Sequence, residues 1–511
     1  MTDLMCEGCA PHQPDRGWGV EMNANAIVRY LGVVSVGIAT MLVMPQARAD
    51  LTNPQLLSQL RPLEQLAAIA NQAVYDQLTS SGTCDPLSPV PQGACTGQVF
   101  QVFSRVRELV DNSNELTQSG GPREFSLGLD IENLGFALRW TAAEELAAQG
   151  ASVTQFSASQ IGSLGSRLAA LRFGASGFRS AANVGGAGDA RTAGLGRALG
   201  GGAAADEEGI AKQWGGFIDG SFGYGNRSDT TFGSGFEDAF DFDGQEITVG
   251  VDYRLNDAFV VGLLVGHTDR AIDFDSSLSI VDARIDSDGY STMAYALWEK
   301  GNFYVNGSVG GQWLSLDQRR RITYPSFNPL VAPIDETALG NSDSNAISAT
   351  LGLGYDLRWK AFSFEPFVKA EYQDITIDGF TENSANGFDF NYGEQKLTSL
   401  ETGLGFKLQY VITPSFGVLV PYLRAEYRNE SRNDSRSISA VYAGIAALAA
   451  STPGVNFNLP TDQPDHSYYV ASGGMSVVLK HGLQGFIEYA QVFDLEPFSD
   501  RVITGGIRVE F

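Results

Sequence analysis

Apolar side chains recur along this chain with two different periods, and the change of period divides it. In the first region the spacing is three and four residues. Leu56, Leu57, Leu60, Leu63, Leu66, Ile69, Ala70, Ala73, Val74 and Leu78 keep it, as do Val99, Phe103, Val106, Leu109 and Val110. Ile161, Leu164, Leu168 and Leu171 close the series. Residues so spaced share one face of a helix. Residues 50–173 are therefore expected to form a small helical bundle. Thr141 and Glu144 have the spacing of a capping box ahead of "EELAAQ".

Residues 174–212 break the pattern. They are rich in glycine and alanine, as in "NVGGAGDARTAGLGRALGGGAAADEE", and read as a linker.

From residue 213 to 511 the period is two. In "EITVGVDYRL", Ile247, Val249, Val251, Tyr253 and Leu255 alternate with Glu246, Thr248, Gly250, Asp252 and Arg254. "ISATLGLGYDLRW" and "ETGLGFKLQY" behave alike, and so does the terminal "VITGGIRVEF", in which Ile507, Val509 and Phe511 share a face. Twelve such segments begin near residues 213, 245, 259, 289, 302, 346, 363, 398, 416, 467, 483 and 501. Their connections alternate short and long. "LND", "EKG", "KA", "VITPS" and "KHG" are short; the long set includes 316–345 and 429–466 and holds most of the Asp, Asn and Ser. A β-sandwich gives no reason for that asymmetry. A transmembrane barrel does, with short turns at one end and long loops at the other. Lipid offers no partner to backbone polar groups, so the sheet must close. The expected fold is mainly β: a 12-stranded antiparallel transmembrane barrel preceded by a small α-helical region. Tyr253, Tyr355, Trp359 and Tyr410 fall near strand ends at short turns, where an aromatic girdle belongs.

"EPFVKAEY" (365–372) and "VPYLRAEY" (420–427) repeat one phrase. Proline at the same offset twice points to a kink or bulge. Glu365, Lys369, Glu371, Arg424 and Glu426 lie on the polar, lumen-facing side, where opposite charges can pair.

Composition narrows the function. The 511 residues carry a net charge of −25, which excludes nucleic acid as a partner. Tyr30–Met44 is an apolar run of about 15 residues, short of the ~20 a spanning helix needs. Arg29 before it and Ala47-Arg48-Ala49 after it make residues 1–49 an expected signal peptide, cut between Ala49 and Asp50. A second start at Met22 stays open. Cys6 and Cys9 form a lone C-x-x-C, half of a zinc site, and no metal or cofactor is expected. Cys84 and Cys95 flank a proline-rich loop in the exported part and are expected to form a disulfide.

Chemistry is scarce. The four histidines are His12, His267, His466 and His481, so residues 50–266 have none, and a Ser-His-Asp triad in the helical region is excluded. No lysine lies between Ala49 and Lys212, against a Ser-Lys dyad. His267 is read as ending a strand at the outer interface and His481 as lying in a periplasmic turn. No enzymatic activity is expected.

The leader, helical region, linker, twelve strands, "PFVKAEY", "PYLRAEY", "WGGFIDGSFGYG" (214–225) and terminal "RVEF" together resemble a type V autotransporter, over about 300 C-terminal residues. The resemblance implies a β-domain in the outer membrane of a Gram-negative bacterium. It implies that Phe511, with Val509 and Ile507, is read by the barrel assembly machinery, and that a helix at 203–213 plugs the lumen. Two features depart from the family: the N-terminal region is short and helical, not a long β-helix, and the Asn-Asn pair used for self-cleavage is missing. Expected partners are outer-membrane lipid and lipopolysaccharide, the assembly machinery and a surface ligand that no residue identifies. Two roles remain: translocation or anchoring of the helical region for surface display or adhesion, or a structural barrel whose helical region is a periplasmic plug or interaction domain.

Overall fold

The computed structural model describes residues 50–184 and 213–510, except 233–234, 275–280, 433–435, 450–454, 462–464 and 480–482. Ala47, Ala49, Phe511, the expected plug at 203–212 and His481 lie outside the described residues.

Four helices come first: α1 (Pro54–Leu57), α2 (Pro62–Ser80), α3 (Gly97–Leu116) and α4 (Ile131–Trp140). The first apolar stripe is split between α1 and α2, because Pro62 has no N–H for a helix interior and starts a new one. Asp50 anchors the start of this region: its N–H donates to Asn114 and its carbonyl accepts from the Ser113 hydroxyl at 2.7 Å. Cys84 and Cys95 are joined by a disulfide that ties the α2–α3 connection. The expected capping box does not form. Ala143 is left-handed with φ 56°, residues Glu144–Ala148 form a 3-10 turn, and the Glu144 carboxylate is taken by Arg139 at 2.8 Å. This elbow leads into the long helix α5 (Gln149–Val184).

Twelve strands then close a barrel: β1 (Trp214–Arg227), β2 (Phe240–Asn256), β3 (Phe259–Phe274), β4 (Asp282–Lys300), β5 (Phe303–Tyr324), β6 (Ile334–Tyr355, continued by Leu357–Trp359), β7 (Phe362–Ile377), β8 (Gln395–Tyr410), β9 (Gly417–Glu430), β10 (Ser467–Leu479), β11 (Leu483–Phe493) and β12 (Phe498–Glu510). Each pairs antiparallel with its chain neighbours, and β1 pairs with β12 from Gly215↔Glu510 to Arg227↔Phe498. Several strands are longer than the alternation suggests: β5 and β6 have 22 residues each.

Polarity explains the extra length. On β5, Phe303 and Trp313 bracket the outward apolar stretch. Ten residues at ~3.4 Å each, tilted by ~40°, span roughly 26 Å, close to the ~25 Å apolar band of an outer-membrane barrel. Tyr290 and Trp313 pair across strands at the outer edge of that band, and the His267 ring lies 4.8 Å from that of Tyr290. His267 is thus at the outer boundary but does not end its strand, which runs on to Phe274. Beyond this row the alternation inverts. Phe240, Phe242, Leu314, Leu316, Ile322 and Tyr324 turn inward and are buried, while Asp241, Asp243, Asp317 and Arg319 turn outward.

The repeated prolines make no bulge. Register is continuous across Pro366↔Phe406 and Pro421↔Met475. What proline does is end a ladder: β8–β9 pairing stops at Gln409↔Tyr422, and the β6–β7 ladder is interrupted beside Pro366, because proline has no N–H to donate.

The extended, long-loop end of the barrel and the helical region share one hydrophobic core. A three-stranded sheet built from two long loops (Phe390–Tyr392, Ser437–Tyr442 and Phe457–Pro460) contributes Phe390, Tyr442 and Phe457. They meet Val102, Phe103, Val106, Leu109, Leu134 and Leu138 of the helices in one buried cluster. The join is close: a Cβ on Gly387 would stand 2.6 Å from the backbone of Gln101, and one on Gly444 would stand 2.7 Å from the Gln98 carbonyl oxygen. Tyr442 donates its hydroxyl to Asn71 at 2.9 Å, Asn328 donates to the Ser126 carbonyl at 2.8 Å, and the Phe327 N–H donates to Leu127 at 2.7 Å.

Candidate functional site

The lumen is the chemically distinctive part of the molecule, and α5 occupies it. At the long-loop end Gln149 donates to Gln318 (2.9 Å) and accepts from Gln395 (3.0 Å). Further in, Ser152 meets Ser287 at 2.6 Å, Ser157 accepts from Gln312 at 2.6 Å, and Gln160 donates to Glu246 and Thr248. Nearer the short-turn end Arg167 pairs with Asp252 at 2.7 Å, and Ser166 accepts from Arg508 at 2.8 Å. Arg172 pairs with Glu365 at 2.7 Å and lies over the Tyr304 ring. So α5 enters at the long-loop mouth and leaves toward the short turns.

Its apolar residues find partners on the wall. Val153 and Phe156 pack with Leu314, Leu316, Ala346, Ile375 and Ile377. Leu164, Leu168 and Leu171 pack with Phe217, Val260, Leu264, Met293, Tyr295 and Leu297. This corrects one expectation: the stripe from Ile161 to Leu171 does not join the bundle. The plug expected at 203–212 lies outside the described residues, and among the described ones α5 fills the lumen. A 3.6-residue period shows that a face is buried but not against what, and a mixed polar and apolar wall accepts such a stripe as well as another helix does. The signal available in the sequence was the polar complement on α5: Gln149, Ser152, Gln155, Gln160 and Arg167 surround the leucines, where a bundle helix would have solvent.

The five charges expected in the lumen are all there. Lys369 pairs with Glu371 and Glu426 at 2.7 Å each, and Arg424 pairs with Glu426 at 2.6 Å. Glu365 lies apart, taken by Arg172 and by the Tyr304 hydroxyl at 2.7 Å. Glu401, on the polar face of "ETGLGFKLQY" but not expected among the paired charges, and Arg428, which sequence reasoning missed, complete the network: Arg428 reaches Glu401 at 3.1 Å and Glu426 at 3.0 Å, and Lys369 lies 3.7 Å from Glu401. Both follow from inward parity on β8 and β9. A cavity of about 270 Å³ remains between α5 and the wall, lined among others by Lys407, Tyr422, Arg424, Glu488 and Arg508. Its lining is mixed, with apolar surface and charge of both signs.

Two of the four histidines, His267 and His466, are among the described residues. His267 contacts the Gly289 carbonyl and lies 3.8 Å from Asp288, and His466 contacts the Glu430 carbonyl. Among the described residues no group of three or more His, Cys, Asp or Glu side chains is arranged to hold a metal ion.

Comparisons with known proteins bear on the barrel. Residues 220–490, more than half of the chain, match the family model described as the autotransporter beta-domain. Esterase EstA of Pseudomonas aeruginosa is 25 % identical over 251 residues, which are 48 % of this chain and 36 % of that protein. Lipase 1 of Photorhabdus luminescens is 22 % identical over 187 residues, 36 % of this chain and 26 % of that protein. The chain thus covers only about a third or less of these relatives' own length. Among solved structures, the translocator domain of the autotransporter NalP from Neisseria meningitidis is similar with a TM-score of 0.44 and 14 % identity, over 63 % of this chain and 96 % of that one. The beta domain of the Bordetella autotransporter BrkA has a TM-score of 0.40 and 13 % identity, over 58 % and 99 %. With its closed twelve-stranded sheet, the chain belongs to the autotransporter β-domain family: it carries a type V translocator barrel of the Gram-negative outer membrane, preceded by a helical region.

Proposed function

We propose that this barrel places its helical region on the outer surface and keeps it there as a fixed cap, anchored by α5 through the lumen, for surface display or adhesion. One observation carries the reading: the helical region and the long-loop end of the barrel share a single buried core. A segment meant for release has no need of aromatic partners from the loops, or of glycines at 387 and 444 that let backbones touch. The short turns mark the periplasmic end, so the long-loop end faces outward. The surface ligand, and contacts with lipopolysaccharide and the assembly machinery, belong to the same proposal.

The names of the relatives favour a second reading, a surface hydrolase. Their match spans a minor part of their length, and residues 50–266 offer no histidine base. A non-catalytic cap is the better account. An epitope inserted between Leu87 and Val90, both exposed in the disulfide-closed loop, tests it. Antibody binding to intact cells is the expected result. Binding only after the outer membrane is permeabilised overturns the surface cap in favour of a periplasmic domain. Ester hydrolysis by the purified chain overturns the non-catalytic part, and its loss on substitution of His267 or His466 would assign the base.

A further inference from the structure

Where the cap meets the pore, charged side chains from several parts of the chain converge. Arg139 of α4 holds Glu144 with two bonds (2.8 and 3.2 Å) and lies 3.5 Å from Asp238, in the β1–β2 connection. Arg227 of β1 donates to the Asp238 carbonyl. Arg320 of β5 holds Glu382, in the β7–β8 connection, at 2.7 Å and donates to the carbonyls of Trp140 and Phe388. Glu382 also accepts from the Tyr392 hydroxyl. Arg436, from the β9–β10 connection, donates to the Ala147 carbonyl. Three of the four carboxylates here thus have a guanidinium within 3.5 Å. The fourth, Glu145, is 5 % exposed, and neither of its oxygens accepts a hydrogen bond from another residue. Arg320 supplies a nearby charge but no hydrogen bond, and in such a place an ionised carboxylate that accepts no such bond costs more than a neutral carboxyl.

We propose that Glu145 is a proton latch for the cap: its carboxyl is neutral while the helical region is docked on the barrel, and its ionisation loosens the docking. The elbow lies several residues beyond the outer aromatic row of β5, in contact with the protein's own core and not with lipid. Burial raises Glu145 to about 7, with the Arg320 charge opposing the rise and Glu382 and Asp238 adding to it; burial raises Glu144, against Arg139, to about 8, and two adjacent groups of this kind titrate as a unit. The sign follows from the undocked value near 4.5. Below it both states are protonated and the docked state has its full stability. As pH rises toward the docked value only the docked state keeps the proton, so docking weakens. Above the docked value the dependence ends. The latch rests on the docking geometry alone and not on which side of the membrane the cap faces.

Hydrogen exchange of the α4–α5 elbow, in the full-length protein in detergent, compares wild type with Glu145→Gln, which mimics the neutral carboxyl. Comparison at equal pH cancels the intrinsic exchange rate and the titrating groups that are not coupled to Glu145, so the difference reports the Glu144–Glu145 unit. Protection of the wild type relative to Glu145→Gln is expected to fall by up to about tenfold per pH unit from about 4.5 to about 7, then to level off. A ratio that does not change with pH overturns the proposal. If the variant does not fold, glutamate-labelled infrared difference spectra of wild type minus Glu145→Asp decide, because Glu108 and Glu144 are present in both. A protonated glutamate band at about pH 6 that is lost by about pH 9 supports the latch, and no such band at about pH 6 overturns it.

Discussion

The lower and upper halves of the barrel wall are made from the same strands with opposite polarity. In the lower half of β2, Val249 and Val251 point outward and Thr248 and Asp252 inward; in its upper half Asp241 and Asp243 point outward and Phe240 and Phe242 inward. The strand has not changed. Its surroundings have: outside, lipid gives way to water, and inside, a polar lumen gives way to a protein core formed with the helical cap. The difference teaches where the membrane ends. It also shows that the upper wall is built to hold something, because an inward ring of aromatics without the helices would face water.

Substitutions separate the halves. Phe390→Ala removes a fully buried ring stacked on Tyr442 in the upper core, and is expected to cost about 3–5 kcal/mol of cap stability. Protease sensitivity of the helices should rise while the barrel keeps its resistance to unfolding by heat in detergent; loss of both together would mean that the halves are one cooperative unit. Val249→Lys places a charge in the apolar band and is expected to cost about 2–4 kcal/mol of membrane folding stability, whereas Asp243→Lys, six residues higher, is expected to cost about 0–1 kcal/mol. Urea titration of the barrel in bilayers checks the pair, and equal costs would misplace the outer boundary. Cys84→Ser with Cys95→Ser opens a loop of sequence separation 11 and is expected to destabilise the cap alone by about 2–3 kcal/mol, read from its thermal unfolding.

The smallest effect concerns pH. Burial raises Asp111 of α3 from 3.8 to about 6, although the Phe125 N–H and the nearby Arg107 pull the other way. Cap stability should therefore decline between about pH 4 and 6 by on the order of 1–3 kcal/mol. Asp111→Asn should make that stretch of the stability profile shallower and leave the decline that Glu145 contributes, and an unchanged profile would remove Asp111 as a source.

Much of this architecture was legible in the sequence. Alternation exposed the twelve strands, the short turns their pairing, and inward parity the Glu365, Lys369 and Glu426 positions. What escaped has one cause: periodicity reports that a face differs from its opposite, but not what covers it. The expected starts at 245, 289 and 346 sit near the inversion of polarity, several residues inside the true strands, because the upper halves keep the period but reverse its phase. The stripe on α5 was assigned to the bundle for the same reason. Glu144 has the right spacing for a cap yet pairs with Arg139, a contact set by the fold and not by spacing.

The central claim is that α5 runs through the lumen beneath a docked cap, and one contact reports on it directly. The Ser152 and Ser287 hydroxyls lie 2.6 Å apart, one on α5 and one on the inner wall of β4. Ser152→Cys with Ser287→Cys, in the full chain assembled in the outer membrane and treated with a mild oxidant, is predicted to cross-link α5 to the wall almost completely. A fragment cut between residues 185 and 212 would then stay joined to the barrel under denaturing conditions and separate on reduction. No cross-link in a correctly assembled barrel would contradict the account, because it would leave the lumen to some other segment and the cap without its anchor.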